Sequence, residues 1–207
     1  MTTVSPCRLI DIVTGDERPT TRERLLDATV SLMRTKGAAA SGTKEILELA
    51  DAPRGSFYFH FPGGKDQLVL EAMDRAAAAT LALVQRVLAD DDGDLADQVG
   101  AIFAAVEAEL VAEDYAPGCA VGVTTLESSA TSPIFQQAAS RAFTSWTSTL
   151  AGRFVERGVP ADRADMLADA VVAGMEGATL LARAQRNPAP LRRAADALAI
   201  VINSLRS

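Results

Sequence analysis

Apolar residues recur along most of the chain at intervals of three and four, and β-branched residues never alternate with polar ones for more than a few positions. That period predicts an all-α fold. A first helix starts at Thr20 or Thr21, carries Leu25, Leu26, Ala28, Thr29, Leu32 and Met33 along one stripe, and stops at Lys36-Gly37, a cationic last turn followed by glycine. A short second helix fits Thr43 to Leu49, with Ile46 and Leu47 apolar, and Asp51-Ala52-Pro53 interrupts it. A third fits Pro53 to Phe59, because the first N–H of a helix has no intrahelical partner for proline to remove. Pro62-Gly63-Gly64 ends that segment, and a long helix follows from Lys65 or Asp66 to Ala89, with Leu68, Ala72, Met73, Leu83, Val84 and Val87 on one side. Further helices are expected over 95–111, 133–157, 161–186 and 191–205. Residues 119–129 are ambiguous, since Val121, Val123, Thr124 and Thr125 favour strand while their surroundings favour helix.

The breaks between these segments divide the chain. Residues 1–19, with Pro6, Gly15 and Pro19 and no sustained period, read as a flexible N-terminal arm. Residues 20–65 form a head of three short helices, and 66–207 a linker helix followed by a helical domain. The acidic run from Asp90 to Asp94 reads as a solvated turn between the long helix and the helix expected from Leu95.

Composition narrows the chemistry. No apolar run approaches the roughly 18 residues of a membrane span, and no basic region precedes a long apolar stretch at the N-terminus, so no membrane partner and a cytoplasmic location are expected. Cys7 and Cys119 lie too far apart for a zinc spacing, and the single histidine, His60, removes any site that needs two. No metal and no cofactor are expected. Gly63-Gly64-Lys65 lacks the glycine at position 59 and the Ser or Thr at 66 that a phosphate loop requires. No catalytic constellation is present, and an enzyme is not expected. Taken over the whole chain, the net charge of −7 argues against nucleic acid as a partner.

Two short helices joined by a tight turn, preceded by a packing helix, make the helix-turn-helix arrangement, in which the second short helix enters a DNA major groove. The residues sharpen that pattern: T-R-x-R-L-L-D-A from Thr21, Lys36-Gly37, E-I-x-x-x-A at Glu45 to Ala50, R-G-S-F-Y-F-H-F at Arg54 to Phe61, and Gly64-Lys65-x-x-Leu68. Over these roughly 50 residues the segment resembles the DNA-binding domain of the TetR family of bacterial transcription regulators. The Phe-Pro-Gly-Gly-Lys run and Pro117-Gly118-Cys119 resemble its LmrA/YxaF-like branch. The resemblance implies a ligand-released repressor that binds a palindromic double-stranded DNA operator as a homodimer and responds to a small-molecule effector. The alternative is a helical protein-interaction or small-molecule-binding module without DNA binding.

Laid on these residues, the resemblance implies DNA contacts from Ser41, Lys44, Arg54, Gly55, Ser56, Tyr58, His60 and Lys65. Arg54 has a guanidinium that suits a guanine edge or a phosphate. Gly55 lets the backbone approach closely, Ser56 offers a small hydroxyl, Tyr58 a phenolic donor and His60 a donor just past the helix. Lys65 stands at the start of the long helix, where a cation and free N–H groups hold phosphate together. Phe57 and Phe61 read as core, and Phe59 stands where the family often has a polar residue. Residues 18–65 hold 8 Lys+Arg and 5 Asp+Glu, a local balance of +3 inside a chain of −7. The acidity therefore lies outside the segment that would meet phosphate.

The resemblance further implies that the remaining helices dimerise and enclose the effector. Apolar stripes place Leu167, Val171, Gly174, Ala178, Leu181, Leu191, Leu198 and Ile202 at a four-helix dimer interface, two helices from each subunit. The pocket is expected from Phe103, Val106, Leu110, Val123, Thr124, Glu127, Phe143, Trp146 and Met175, with Leu126 also on the inner stripe. Ligand binding is expected to change the tilt of the long helix and so the separation of two recognition helices, which must sit roughly 34–36 Å apart to read adjacent major grooves.

Overall fold

The computed structural model describes residues 19–89, 93–128 and 130–205. Residues 1–18 of the arm expected over 1–19, Cys7 among them, and the acidic residues 90–92 lie outside the described residues. Helices account for the regular structure among the described residues: α1 (Thr21–Lys36), α2 (Thr43–Leu49), α3 (Ser56–His60), α4 (Gly64–Leu88), α5 (Leu95–Ala112), α6 (Ala120–Ser128), α7 (Pro133–Glu156), α8 (Ala161–Gln185) and α9 (Ala189–Leu205). The described chain forms two compact units. One holds residues up to 79 together with 117–142, and the other holds 80–116 with the chain from 143 onward.

In the first unit, α1 packs on α2, α3 and α6. Thr20 caps α1 with a reciprocal pair of bonds: its hydroxyl accepts from the Glu23 N–H at 3.3 Å, and its own N–H donates to the Glu23 carboxylate at 2.7 Å. The bond from the Thr20 N–H, with the Thr20 hydroxyl donating to the same carboxylate at 2.8 Å, holds the Glu23 carboxyl below the ordinary carboxylate range. Leu25, Met33, Ile46, Phe57, Phe61 and Leu68 form the fully buried centre. Arg24 locks the end of α2 onto α1, donating to the carbonyls of Ala50 at 2.9 Å and Asp51 at 3.1 Å.

Within the ambiguous stretch 119–129, Ala120–Ser128 form helix α6, and residue 129 lies outside the described residues. The α6 threonines satisfy their hydroxyls within the helix, Thr124 on the Ala120 carbonyl at 2.8 Å and Thr125 on that of Val121 at 2.7 Å, so neither hydroxyl is left unpaired. Packing of Val121 and Thr124, both fully buried, supplies the tertiary contribution. The loop before α6 is tied to the end of α1 by a reciprocal pair, Gly118 N–H to the Arg34 carbonyl at 2.8 Å and Arg34 Nε to the Gly118 carbonyl at 3.0 Å.

α1 ends at Gly37, with φ of 85° and ψ of 165°, a region open essentially to glycine alone. A Cβ there would also fall 1.7 Å from Oε1 of Glu127, whose carboxylate accepts from the Ala39 N–H at 3.2 Å. Gly37→Ala is therefore expected to destabilise the protein by about 1–3 kcal/mol. Thermal melting checks this, and an unchanged Tm would show that the turn relaxes without cost.

In the second unit, α9 packs against α5 and α8, and α5 also meets α8. Asp94 caps α5, accepting from the Leu95 N–H at 2.8 Å. Trp146, Phe103, Phe154, Ile102 and Leu95 are its largest buried side chains, and Phe143 meets Trp146 edge-on with ring centroids 5.2 Å apart. An ion pair from Arg192 to Glu107 joins α9 to α5.

This packing corrects the expected dimer residues. Leu167, Val171, Ala178, Leu191, Leu198 and Ile202 are buried within the chain, and Gly174 faces Leu198 and Phe103 of its own unit. They form the intramolecular core between α5, α8 and α9. Of the expected set, Leu181 alone is exposed. The exposed apolar stripe is a different one: Met166, Ala170, Ala173, Gly177, Leu180 and Ala184 on α8, with Ala197, Ile200 and Val201 on α9.

Candidate nucleic-acid interface

The turn between α2 and α3 is built by backbone bonds. The Ala52 N–H donates to the Leu47 carbonyl at 3.0 Å and the Ser56 N–H to that of Pro53 at 2.9 Å, while Asp51 takes the left-handed conformation with φ of 46°. Aspartate tolerates that region better than most residues. The helix expected over 53–59 starts three residues later and spans Ser56–His60, because Pro53, Arg54 and Gly55 form a turn that leads into it. Arg54 consequently stands ahead of the helix and not in its first turn.

Phe57 and Phe61 anchor α3 by its inner face, 2% and 0% exposed. Four residues apart on a helix, they share one side. The opposite side carries Tyr58, 70% exposed, and Phe59, 80% exposed. Gly55 has open space where a Cβ would stand. Arg54 is exposed and makes no hydrogen bond or ion pair with any described residue. A surface concavity of about 650 Å³ is lined by Thr43, Lys44, Leu47, Glu48, Asp51, Ala52, Arg54 and Tyr58. Lys44 and Arg54 thus line one concavity with Tyr58. Thr43 and Glu48 line it as well and were absent from the sequence expectation, although both sit next to or one helical turn from Lys44.

The other expected contacts fall less uniformly. Ser41 is fully buried, and its hydroxyl donates to the Gly37 carbonyl at 2.6 Å, so it closes the turn after α1 and has no surface to offer DNA. This corrects its assignment. Ser56 donates its hydroxyl to the Pro53 carbonyl at 2.6 Å and keeps only acceptor capacity. His60 is half-buried, edge-on to Phe59 with ring centroids 4.9 Å apart. Lys65 donates to the Ala39 carbonyl at 3.2 Å, and Lys44 lies 3.7 Å from Glu48 in an exposed pair worth little in water. The remaining cations of residues 20–65 are engaged: Lys36 pairs with Glu45, Arg22 with Glu71 while lying over the Phe61 ring, and Arg24 and Arg34 donate to backbone carbonyls; on α4, Arg75 pairs with Asp27 at 2.6 Å.

The expected pocket residues also separate. Phe103, Leu110, Trp146 and Met175 are buried in the second unit, with Val106 and Phe143 half-buried there. Val123 and Thr124 belong to α6 of the first unit. Glu127 is exposed and bonded to Ala39, and Leu126 is 85% exposed. Neither is an interior group, which corrects both. Cys119 is half-buried, with its sulfur accepting from the Gly122 N–H at 3.3 Å. Among the described residues no group of three or more His, Cys, Asp or Glu side chains is placed to hold a metal ion, and no helix is long and apolar enough to cross a membrane.

Comparison with known proteins bears on the geometry. Residues 25–72 match the family described as bacterial regulatory proteins, tetR family, and residues 96–197 match the transcriptional regulator LmrA/YxaF-like C-terminal domain. The chain is 34% identical over 176 residues to an HTH-type transcriptional regulator of Mycobacterium tuberculosis, covering 82% of this chain and 88% of that one. It is 29% identical over 173 residues to the HTH-type transcriptional regulator LmrA of Bacillus subtilis, covering 82% and 90%. Among solved structures, a regulatory protein TetR from Rhodobacter sphaeroides superposes with a TM-score of 0.80 at 26% identity, over 86% of this chain and 97% of that one. A TetR transcriptional regulator from Chloroflexus aurantiacus gives 0.75 at 29% identity, over 88% and 94%.

Proposed function

The chain belongs to the TetR family of bacterial transcription regulators, in its LmrA/YxaF-like branch, and from that premise we propose that it binds a palindromic operator as a homodimer and releases it when a small molecule binds. Regulators of this family are typically ligand-responsive, DNA-binding repressors that act as dimers. The observation that carries the reading is the outward face of the α2–turn–α3 segment. It presents Arg54, Lys44 and Tyr58 around one concavity, while Phe57 and Phe61 fix α3 from behind. Contacts to DNA are proposed for Lys44, Arg54, Gly55, Ser56, Tyr58, His60 and Lys65. The head over 20–65 is proposed as the DNA-binding domain and the rest as the linker helix with the ligand-binding and dimerisation domain.

The interface is proposed on the exposed stripe of α8 and α9, with Leu181 at its edge. Met166, Ala170, Ala173, Gly177, Leu180 and Ala184 follow one another at alternating steps of four and three, the spacing of a coiled-coil seam. Alanine and glycine in its middle permit close helix approach, and a Cβ at Gly177 would meet nothing in its own chain. For the effector, the proposal keeps Phe103, Val106, Leu110, Phe143, Trp146 and Met175, which share one unit and offer an apolar lining of the kind drug-sized ligands occupy.

The test is binding to duplex DNA from upstream of the chain's own gene, read by fluorescence anisotropy against a scrambled duplex. If Lys44, Arg54 and Lys65 of both subunits neutralise phosphates or their equivalents, affinity should fall about 10³-fold between roughly 50 and 200 mM salt. A candidate effector should weaken binding by about 5–150-fold. Equal affinity for the two duplexes would sink the regulator reading, and an effector that binds without moving operator affinity would sink the switch.

A further inference from the structure

We propose that Phe59 reads the 5-methyl group of a thymine in each half of the operator. The inference rests on the reading of α3 as the recognition helix. Phe59 is 80% exposed, where the two phenylalanines that flank it at 57 and 61 are 2% and 0% exposed. At about 100° per residue, Phe57 and Phe61 point about 40° apart, and Phe59 falls about 180° from their mean direction, at the centre of the outward face. Gly55, one turn earlier on that face, has no Cβ, and one built there would meet nothing within 4 Å. The ring neighbour of Phe59 among the described residues is His60, edge-on at 4.9 Å, which leaves the outer face of the phenyl ring uncovered.

A phenyl ring has no donor or acceptor. It cannot hold a phosphate oxygen or pair with a polar base edge, and its fitting partner in a polar groove is an apolar group. The major groove carries one apolar group that distinguishes the bases, the C5-methyl of thymine. Contact with it withdraws apolar surface of both partners from water and is blind to salt, unlike the phosphate contacts around it. Phe59 thereby takes a discriminating role that charge and hydrogen bonding cannot supply.

The experiment begins with an operator selected from random duplex DNA by the full-length protein. Each thymine is then replaced by deoxyuridine, symmetrically in both half-sites, and affinities are measured for the wild type, Phe59→Ala and Phe59→Leu. In the wild type one thymine pair should lose about 4-fold per methyl removed, about 15-fold for the two half-sites together. Phe59→Ala should bind thymine and deoxyuridine operators equally at that position, with the slope of log affinity against log salt unchanged. Phe59→Leu should retain part of the difference. A flat deoxyuridine scan in a wild type that binds its selected operator would overturn the inference and leave the DNA-binding reading standing, as would a methyl penalty that persists in Phe59→Ala. Failure to recover any preferred sequence would instead remove the DNA-binding reading, and this inference with it.

Discussion

Leu180→Glu is expected to give a folded monomer that no longer binds operator DNA. In the single chain Leu180 is 61% exposed, so a carboxylate there meets water and disturbs no core. In the proposed two-fold interface the same carboxylate is buried twice, once from each subunit, among Met166, Ala173 and Gly177 and their partners. Several kcal/mol for each desolvated charge exceeds what a seam of small residues returns, and dimer dissociation should become complete at micromolar concentration. Two half-sites read by independent monomers lose the gain from linkage, which alone spans about 10²–10⁴-fold in affinity on general grounds. Sedimentation gives the mass, far-ultraviolet dichroism the fold, and anisotropy the DNA affinity. A Leu180→Glu protein that stays dimeric at micromolar concentration would place the interface elsewhere. Ile202→Ala makes the contrast: it is fully buried in its own chain, and its cost of about 2–5 kcal/mol should appear in stability and not in dimer affinity.

The difference between those two residues also shows what periodicity carries and what it does not. The boundaries of α1, α2, α5, α8 and α9 follow from caps, glycines and apolar spacing within a residue or two. The choice of inward face on α8 and α9 does not, because both faces are apolar. One stripe holds Leu167, Val171, Met175, Ala178 and Ala182, and the other holds Met166, Ala170, Ala173, Gly177 and Leu180. Choosing the bulkier stripe for the interface put core residues there, since bulk serves an intramolecular core and small side chains serve close approach of a second helix pair. Ser41, Leu126 and Glu127 fail for a related reason. Each sits in or beside a short segment whose orientation is set by contacts distant in sequence, such as the Glu127 bond to Ala39. The +3 balance of residues 18–65 points to the segment proposed to face DNA, but it does not tell Arg54 from Arg24, whose guanidinium is spent on the carbonyls of Ala50 and Asp51.

That distinction underlies the second large effect. Arg54→Ala is expected to collapse sequence preference while leaving the dimer and its stability intact. Arg54 is exposed and makes no hydrogen bond or ion pair among the described residues, so its removal orphans no partner. It lines the concavity with Lys44 and Tyr58, ahead of α3, where a guanidinium presents two parallel N–H groups toward a guanine O6 and N7. A bidentate pair of that kind discriminates by about 1–3 kcal/mol, and a symmetric dimer makes it twice, so the ratio of operator to scrambled-duplex affinity should fall by about 30-fold or more. A phosphate contact in the same place behaves otherwise: both duplexes weaken together, and the salt slope drops by about 2 for the two arginines of the dimer. Measuring both duplexes across a salt series separates the two roles. An unchanged affinity ratio would remove Arg54 from base recognition, and leave Tyr58 and Phe59 to carry the reading from the face of α3.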